Sequence, residues 1–206
     1  MEHHAAAEHL EVIRMLMERS ALYRRTLAPI MLYVGSVGTL AGAGGLVFGI
    51  DSLRAFGAWW LAAALLALVG AYLIARRQSL RDGEPFWSPP TLRVTQAMVP
   101  PLAGGLIVSV VLLHETGPDA LRWLFVFANA LFYGCAVHAA GFFMPRGMKL
   151  FGGGIIGTTG AALWAMAWFD PTPDWNPHLL MGALFGVLHL AYGVYLHVTE
   201  PRERAA

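Results

Sequence analysis

The chain has 206 residues, of which 57% are hydrophobic and 13% are charged. A soluble domain carries about 25% charged residues, and a chain of this length has too little interior to bury so much apolar surface. The composition therefore excludes an ordinary soluble domain and favours a protein that exposes apolar side chains to lipid.

The first 26 residues are charged and are predicted to form a cytoplasmic amphipathic helix before the membrane. Apolar residues recur there at spacings of three and four, which is the helical period: Leu10, Ile13, Met17 and Ala21. One interpretation is a helix that rests on the inner leaflet. The other is a docking segment for a cytoplasmic partner, with Arg14, Glu18 and Arg19 as its contact residues.

Six apolar runs follow, and each is close to the roughly 20 residues that a membrane-spanning helix needs. A bilayer core offers no water to unpaired backbone groups, so each run is predicted to be a helix. The predicted spans are about 27–50, 55–75, 96–114, 121–143, 150–169 and 179–198, and 199–206 is a tail. The fold class is thus an all-α membrane bundle of six spans.

The connection 76–95 is predicted to be the longest loop. It contains an Asp82-Gly83 pair, which favours a turn. It also contains prolines that disfavour a helix: Pro85, Pro89 and Pro90. The third span holds Pro100 and Pro101 in its early turns, which predicts a kink or a later start.

The positive charges predict the orientation. Twelve of the 14 Lys and Arg residues fall on one side of the six-span arrangement: Arg14, Arg19, Arg24, Arg25, Arg76, Arg77, Arg81, Arg93, Arg146, Lys149, Arg202 and Arg204. Positive charge marks the cytoplasmic side, so both termini are predicted to be cytoplasmic. Five tryptophans at the opposite ends are predicted to lie at the membrane interface: Trp59, Trp60, Trp123, Trp168 and Trp175.

Glycine pairs at a spacing of four mark faces where helices approach closely in lipid. They are Gly38 and Gly42, Gly45 and Gly49, Gly153 and Gly157, and Gly182 and Gly186. Most are predicted to pack this one bundle, and an oligomer through such a face is the alternative.

Two histidines lie well inside the spans, and an ionisable group in a bilayer is a functional candidate. His138 and His189, with Tyr133 and Tyr192 beside them, are the predicted ligand-binding residues. A neutral imidazole can hold a haem or a metal ion. The alternatives are a hydrogen bond across a helix interface, or pH sensing.

The opposite side of the membrane carries weak candidates for a divalent cation: Asp119, Asp170 and His178. Since no metal-ligand spacing is present, we predict no metal site there. The spans hold no carboxylate, and no nucleophile motif or phosphate loop is seen. We expect no catalytic residues and no direct contact with nucleic acid.

Several short stretches resemble a group of bacterial six-span membrane proteins whose activity is uncharacterised. They run in order along most of the chain: 13–23, 83–88, Pro100-Pro101 with Gly104-Gly105, 131–134, and 185–189 with Gly193. Members of that group are often encoded beside a small winged-helix transcriptional regulator. The resemblance implies a bacterial inner-membrane protein with a regulatory partner, and it carries over no catalytic residue.

These observations predict an inner-membrane protein without enzyme activity and with a sensory or regulatory role. The alternative is the binding or transport of a small apolar molecule or haem in the bundle, through His138 and His189.

Overall fold

The computed structural model describes residues 27–83, 85–115, 117, 120–144, 146–168 and 175–199. Within these ranges it contains six helices that are long and apolar enough to cross a membrane, and no strand. They are α1 (Leu27–Val47), α2 (Leu53–Arg81), α3 (Pro89–His114), α4 (Ala120–Ala140), α5 (Arg146–Trp168) and α6 (Pro177–Thr199). The predicted all-helical, six-span class is confirmed to this extent. The predicted helix within 1–26 and the tail from residue 200 onward lie outside the described residues.

The connection between α2 and α3 is shorter than predicted. The prediction of a loop over 76–95 is wrong, because α2 continues to Arg81 and α3 already begins at Pro89. Pro89 and Pro90 occupy the first helical positions, where a missing backbone N–H costs nothing and a fixed φ suits the helix. The two prolines therefore start α3 instead of preventing it.

Pro100 and Pro101 lie inside α3, which is one helix from Pro89 to His114. The predicted later start is therefore wrong. Membrane helices tolerate proline where small local adjustments satisfy the carbonyls that lose a partner.

The glycine faces of α1 and α6 form a close backbone contact. Gly38 lies against the carbonyl of Phe185, and a Cβ on Gly186 would be 2.5 Å from the backbone nitrogen of Thr39. Gly42 lies against the Cα of Gly182. The two backbones touch because no side chain separates them, so these four glycines pack the bundle as predicted. The other two predicted faces are wrong in part, because an added Cβ on Gly49 or Gly157 has nothing within 4 Å.

The contacts of α1 with α6 run in opposite chain directions. Gly35 meets Leu190, Gly42 meets Gly182, and Gly193 meets Leu32. The start of α1 and the end of α6 consequently lie together, and Leu27 and Leu196 share one buried cluster. We call this the terminal end of the bundle, and the opposite end the far end.

The far end has its own buried cluster, formed by α1, α2, α3, α4 and α6. Its members are Ala41, Phe56, Trp60, Leu112, Phe125, Val126 and Met181. The predicted interfacial position of two tryptophans is wrong, because Trp60 and Trp123 are only 4% and 5% exposed. Their large rings fill the space between helices.

Side-chain hydrogen bonds also join neighbouring helices. The list is Tyr33 Oη to Leu66 O at 3.1 Å, Trp59 Nε1 to Ala41 O at 2.8 Å, Arg54 Nε to Leu113 O at 3.1 Å, and Asn129 Nδ2 to Ser109 Oγ at 2.9 Å. Three of the four acceptors are backbone carbonyls. In lipid such polar bonds add to packing as the forces that hold helices together.

The seam between α1 and α6 predicts a clear difference between two Gly→Ala substitutions. Gly38→Ala should destabilise the protein by about 1–3 kcal/mol, the usual cost of overpacking, because the new methyl meets the Phe185 carbonyl. Gly157→Ala is the matched control, since a Cβ there has nothing within 4 Å. It should leave stability unchanged or raise it by up to about 1 kcal/mol through helix propensity. Thermal unfolding in detergent measures both, and equal melting temperatures would contradict the seam.

Candidate functional site: the histidines of the bundle

A π-helical stretch interrupts α6 from Gly182 to Val187. There the N–H of Leu188 bonds to the carbonyl of Ala183, five residues back, instead of to Leu184 four residues back. The carbonyl of Leu184 thereby loses its α-helical donor. Single π turns are often found at functional sites.

The imidazole of His189 satisfies that carbonyl. Its Nδ1 lies 3.0 Å from Leu184 O, and since a carbonyl only accepts, Nδ1 carries the proton. Nε2 must then accept, and the hydroxyl of Tyr133 on α4 donates to it at 2.6 Å. These bonds fix one neutral tautomer and join the π turn of α6 to α4.

Aromatic rings surround this pair. The ring of Phe151 on α5 meets His189 edge-on at 5.0 Å, and Phe185 lies on Tyr133 at 5.2 Å. Tyr192 stacks on Phe151 at 4.9 Å. His189 is completely buried. The arrangement has the hydrogen bonding and packing expected of a histidine that links helices.

His138 belongs to a different interface. Its Nδ1 donates to the carbonyl of Lys149 on α5 at 3.0 Å, and its ring meets Phe142 at 5.6 Å. Gly152 lies against the His138 backbone, so α4 and α5 touch closely at this level. Because five residues separate His138 from Tyr133, the two side chains point about 140° apart around α4.

The four predicted ligand-binding residues thus separate into two places. His189, Tyr133 and Tyr192 share one aromatic cluster, whereas His138 makes its contacts toward α5. A ligand that coordinates His189 would have to displace the Tyr133 hydroxyl from Nε2. Binding of a haem or an apolar molecule here stays a prediction.

The third histidine, His178, is at the far end and is also completely buried. The indole N–H of Trp60 donates to its Nδ1 at 3.0 Å, and its Nε2 donates to the carbonyl of Ile50 at 2.9 Å. Indole only donates and a carbonyl only accepts, so this tautomer is fixed as well. Gly45 lies directly against the ring and leaves room for it.

His178 was the only described member of the weak cation site, because Asp119 and Asp170 lie outside the described residues. Both of its ring nitrogens are occupied by hydrogen bonds, so this geometry leaves no lone pair for a metal ion. Across the described ranges no group of three or more His, Cys, Asp or Glu side chains is placed to hold a metal. At the same end Arg122, largely buried, pairs with Asp51 at 3.5 Å.

Several of these partners could not be predicted from the residue pattern. Trp60 was assigned to the membrane interface, yet it is a hydrogen-bond donor inside the bundle. The carbonyl of Leu184 is free to accept from His189 only because of the π turn, and no residue pattern predicts that turn. One signal did exist: a tyrosine and a histidine, each in a span, are natural partners when no water is available.

Comparisons with known proteins add no identification. The chain matches no protein-family profile, no curated protein and no solved structure. Its resemblance to the bacterial six-span group therefore stays a prediction, and the geometry of the chain itself must carry the functional argument.

The Tyr133–His189 bond can be tested by a double-mutant cycle. Tyr133→Phe removes one donor, whereas His189→Phe deprives both the Tyr133 hydroxyl and the Leu184 carbonyl of a partner. His189→Phe should therefore destabilise the protein more. The double variant should lose less than the sum, by about 0.6–1.7 kcal/mol, the scale of hydrogen bonds between membrane helices.

Tyr33→Phe provides the control, because its hydroxyl bonds to Leu66 on another helix pair. Combined with His189→Phe it should be additive. Unfolding in detergent measures all variants, and additivity in the Tyr133 pair as well would show that its hydrogen bond adds no stability.

Proposed function

We propose that this chain is a multi-pass protein of the bacterial inner membrane that acts as a sensory or regulatory component and not as an enzyme. Both termini lie in the cytoplasm, and the segment 1–26 contacts a soluble partner. The supporting observation is the backbone contact between α1, which follows that segment directly, and the π turn of α6.

The orientation is supported by packing and charge together. Leu27 and Leu196 lie in one cluster, so the two ends of the described chain share a side of the bundle. The hairpin between α2 and α3 and the connection from α4 to α5 lie at the same end, and with the terminal segments they carry twelve of the 14 positive charges. By the positive-inside rule that end faces the cytoplasm.

A regulatory protein needs an element with two arrangements that a partner can bias. We infer that the π turn is such an element, because the Leu184 carbonyl that it frees is bonded by the imidazole of His189. Gly38 and Gly186 allow the backbone of α1 to contact this turn directly. A displacement of α1 by a partner bound to the preceding segment would therefore reach the π turn and the Tyr133–His189 bond.

The alternative function is the binding or transport of a small apolar molecule or haem. The aromatic cluster around His189 provides apolar walls for it, formed by Phe151, Phe185 and Tyr192. The Tyr133 hydroxyl at 2.6 Å from Nε2 weighs against ligation of iron at that nitrogen.

The orientation is tested with reporters. A fusion after Ala206 should be active on the cytoplasmic side, and an insertion beside Asp119 on the opposite side. This orientation is expected because twelve of the 14 Lys and Arg residues lie on the side of the termini and two on the other. An inactive fusion after Ala206 together with a cytoplasmic insertion beside Asp119 would contradict the six-span arrangement with cytoplasmic termini.

The partner is tested by three variants: deletion of 2–22, Arg14→Ala with Glu18→Ala and Arg19→Ala, and His189→Phe. Cytoplasmic proteins that co-purify with the native chain should be lost from the first two. They should be retained by His189→Phe, which lies in the membrane and keeps an aromatic ring. The triple variant keeps good helix formers at each position, so its loss would reflect contacts and not helix content.

The same protein preparations distinguish the regulatory role from the binding of a haem or an apolar molecule. An absorption spectrum with a Soret band that disappears in His189→Phe would establish haem binding. If the deletion also retained every partner, the regulatory proposal would be wrong and the binding function would replace it.

A further inference from the structure

The hairpin of α2 and α3 extends beyond the apolar part of its two helices. Arg54 Nε bonds to Leu113 O at 3.1 Å, so the two far ends are level. From there the residues without Lys, Arg, Asp or Glu are 55–75 in α2 and 94–114 in α3. At 1.5 Å per residue each stretch is about 30 Å long, which is the thickness of the hydrocarbon core.

The four arginines of the hairpin begin where that thickness ends. Arg76, Arg77 and Arg81 lie in the last turns of α2, and Arg93 lies in the first turns of α3. All four side chains are exposed. The neighbouring carboxylate of Asp82 is held by the amide of Gln78 at 3.0 Å. The part of the hairpin that the structure describes therefore presents an excess of positive charge within about 8 Å of that boundary.

Exposed apolar side chains lie among these arginines. Leu80 is 73% exposed, Trp87 is 58% exposed and Leu92 is 41% exposed. The ring of Phe86, which meets Tyr72 at 5.2 Å, packs against Trp87 at 5.0 Å. Exposure of such apolar side chains to water is unfavourable. The boundary between acyl chains and headgroups accommodates both indole and aliphatic groups.

We infer that this hairpin binds the headgroups of anionic phospholipids. The guanidinium groups hold phosphate oxygens, since Arg matches them with two parallel hydrogen bonds. Phe86 packs against Tyr72 of the apolar stretch, so Trp87 beside it lies at the boundary with the acyl chains. Leu80 and Leu92 are exposed at the level of the headgroups. The inference rests on the proposed membrane embedding and adds a lipid partner to it.

The test uses the full chain in bilayers of phosphatidylcholine that contain a growing share of phosphatidylglycerol with brominated acyl chains. Bromine quenches indole fluorescence, and the contribution of Trp87 is the difference between the native chain and Trp87→Phe. Quenching of Trp87 should exceed the value for a random lipid mixture. The reverse labelling, with brominated phosphatidylcholine, should quench it less.

Arg77→Gln with Arg81→Gln and Arg93→Gln should abolish the preference. Each arginine near an anionic surface is worth about fivefold in affinity, so the triple variant should lose about a hundredfold. Lys149→Gln, at the same end but on α5 and placed over the Phe142 ring, is the matched control and should keep the preference. Raising the salt to about 1 M should weaken it in the native chain, because the Debye length shortens to about 3 Å.

Equal quenching by both lipids in the native chain, or an undiminished preference in the triple variant, would overturn the inference. Failure of the membrane embedding itself gives a different result. In that case neither brominated lipid would quench even Trp164, which is exposed in the last turns of α5. A triple variant that unfolds is recognised by its thermal unfolding in phosphatidylcholine alone, and Arg93→Gln by itself then carries the test.

Discussion

The close approach of α1 and α6 is the constraint on which the rest of the bundle depends. Lipid gives helices no hydrophobic reason to associate, so packing and polar bonds must supply the attraction. Glycine lets the two backbones touch, and the carbonyl of Phe185 lies where a side chain on Gly38 would be. This contact brings the first and last helices together. It also brings α1 against the π turn of α6.

That turn explains why a histidine is buried there at all. A π turn leaves a carbonyl without its usual donor, and in a bilayer no water can replace it. The Nδ1–H of His189 supplies the missing hydrogen bond from within the same helix. The hydroxyl of Tyr133 donates a hydrogen bond to the second ring nitrogen, Nε2. His178 follows the same logic at the far end, between Trp60 and the carbonyl of Ile50. Each imidazole is thus a two-sided connector with a fixed proton position.

The two ends of the bundle differ in chemistry. The far end holds two largely buried polar side chains with partners: His178 with Trp60, and Arg122 with the exposed carboxylate of Asp51. The terminal end leaves its arginines on the surface of the α2–α3 hairpin. The exposed arginines and the start of α1 thus lie at the same end of the bundle.

The sequence by itself determined that there are six long apolar helices, which end carries the positive charge, and that glycines would pack them. Composition and run length suffice for this, because a bilayer admits only helices of a set length with charges outside. The loop at 76–95 was mispredicted because proline is disfavoured inside a helix but favoured in its first turn. Counting the prolines in a segment does not show which of these two positions they occupy. Only the tertiary structure decided which glycines meet, that His138 and His189 face different helices, and that Tyr133, Trp60 and the Leu184 carbonyl are the histidines' partners. Those choices depend on the rotation and depth of each helix, and the π turn shifts both within α6 without a trace in the residue pattern.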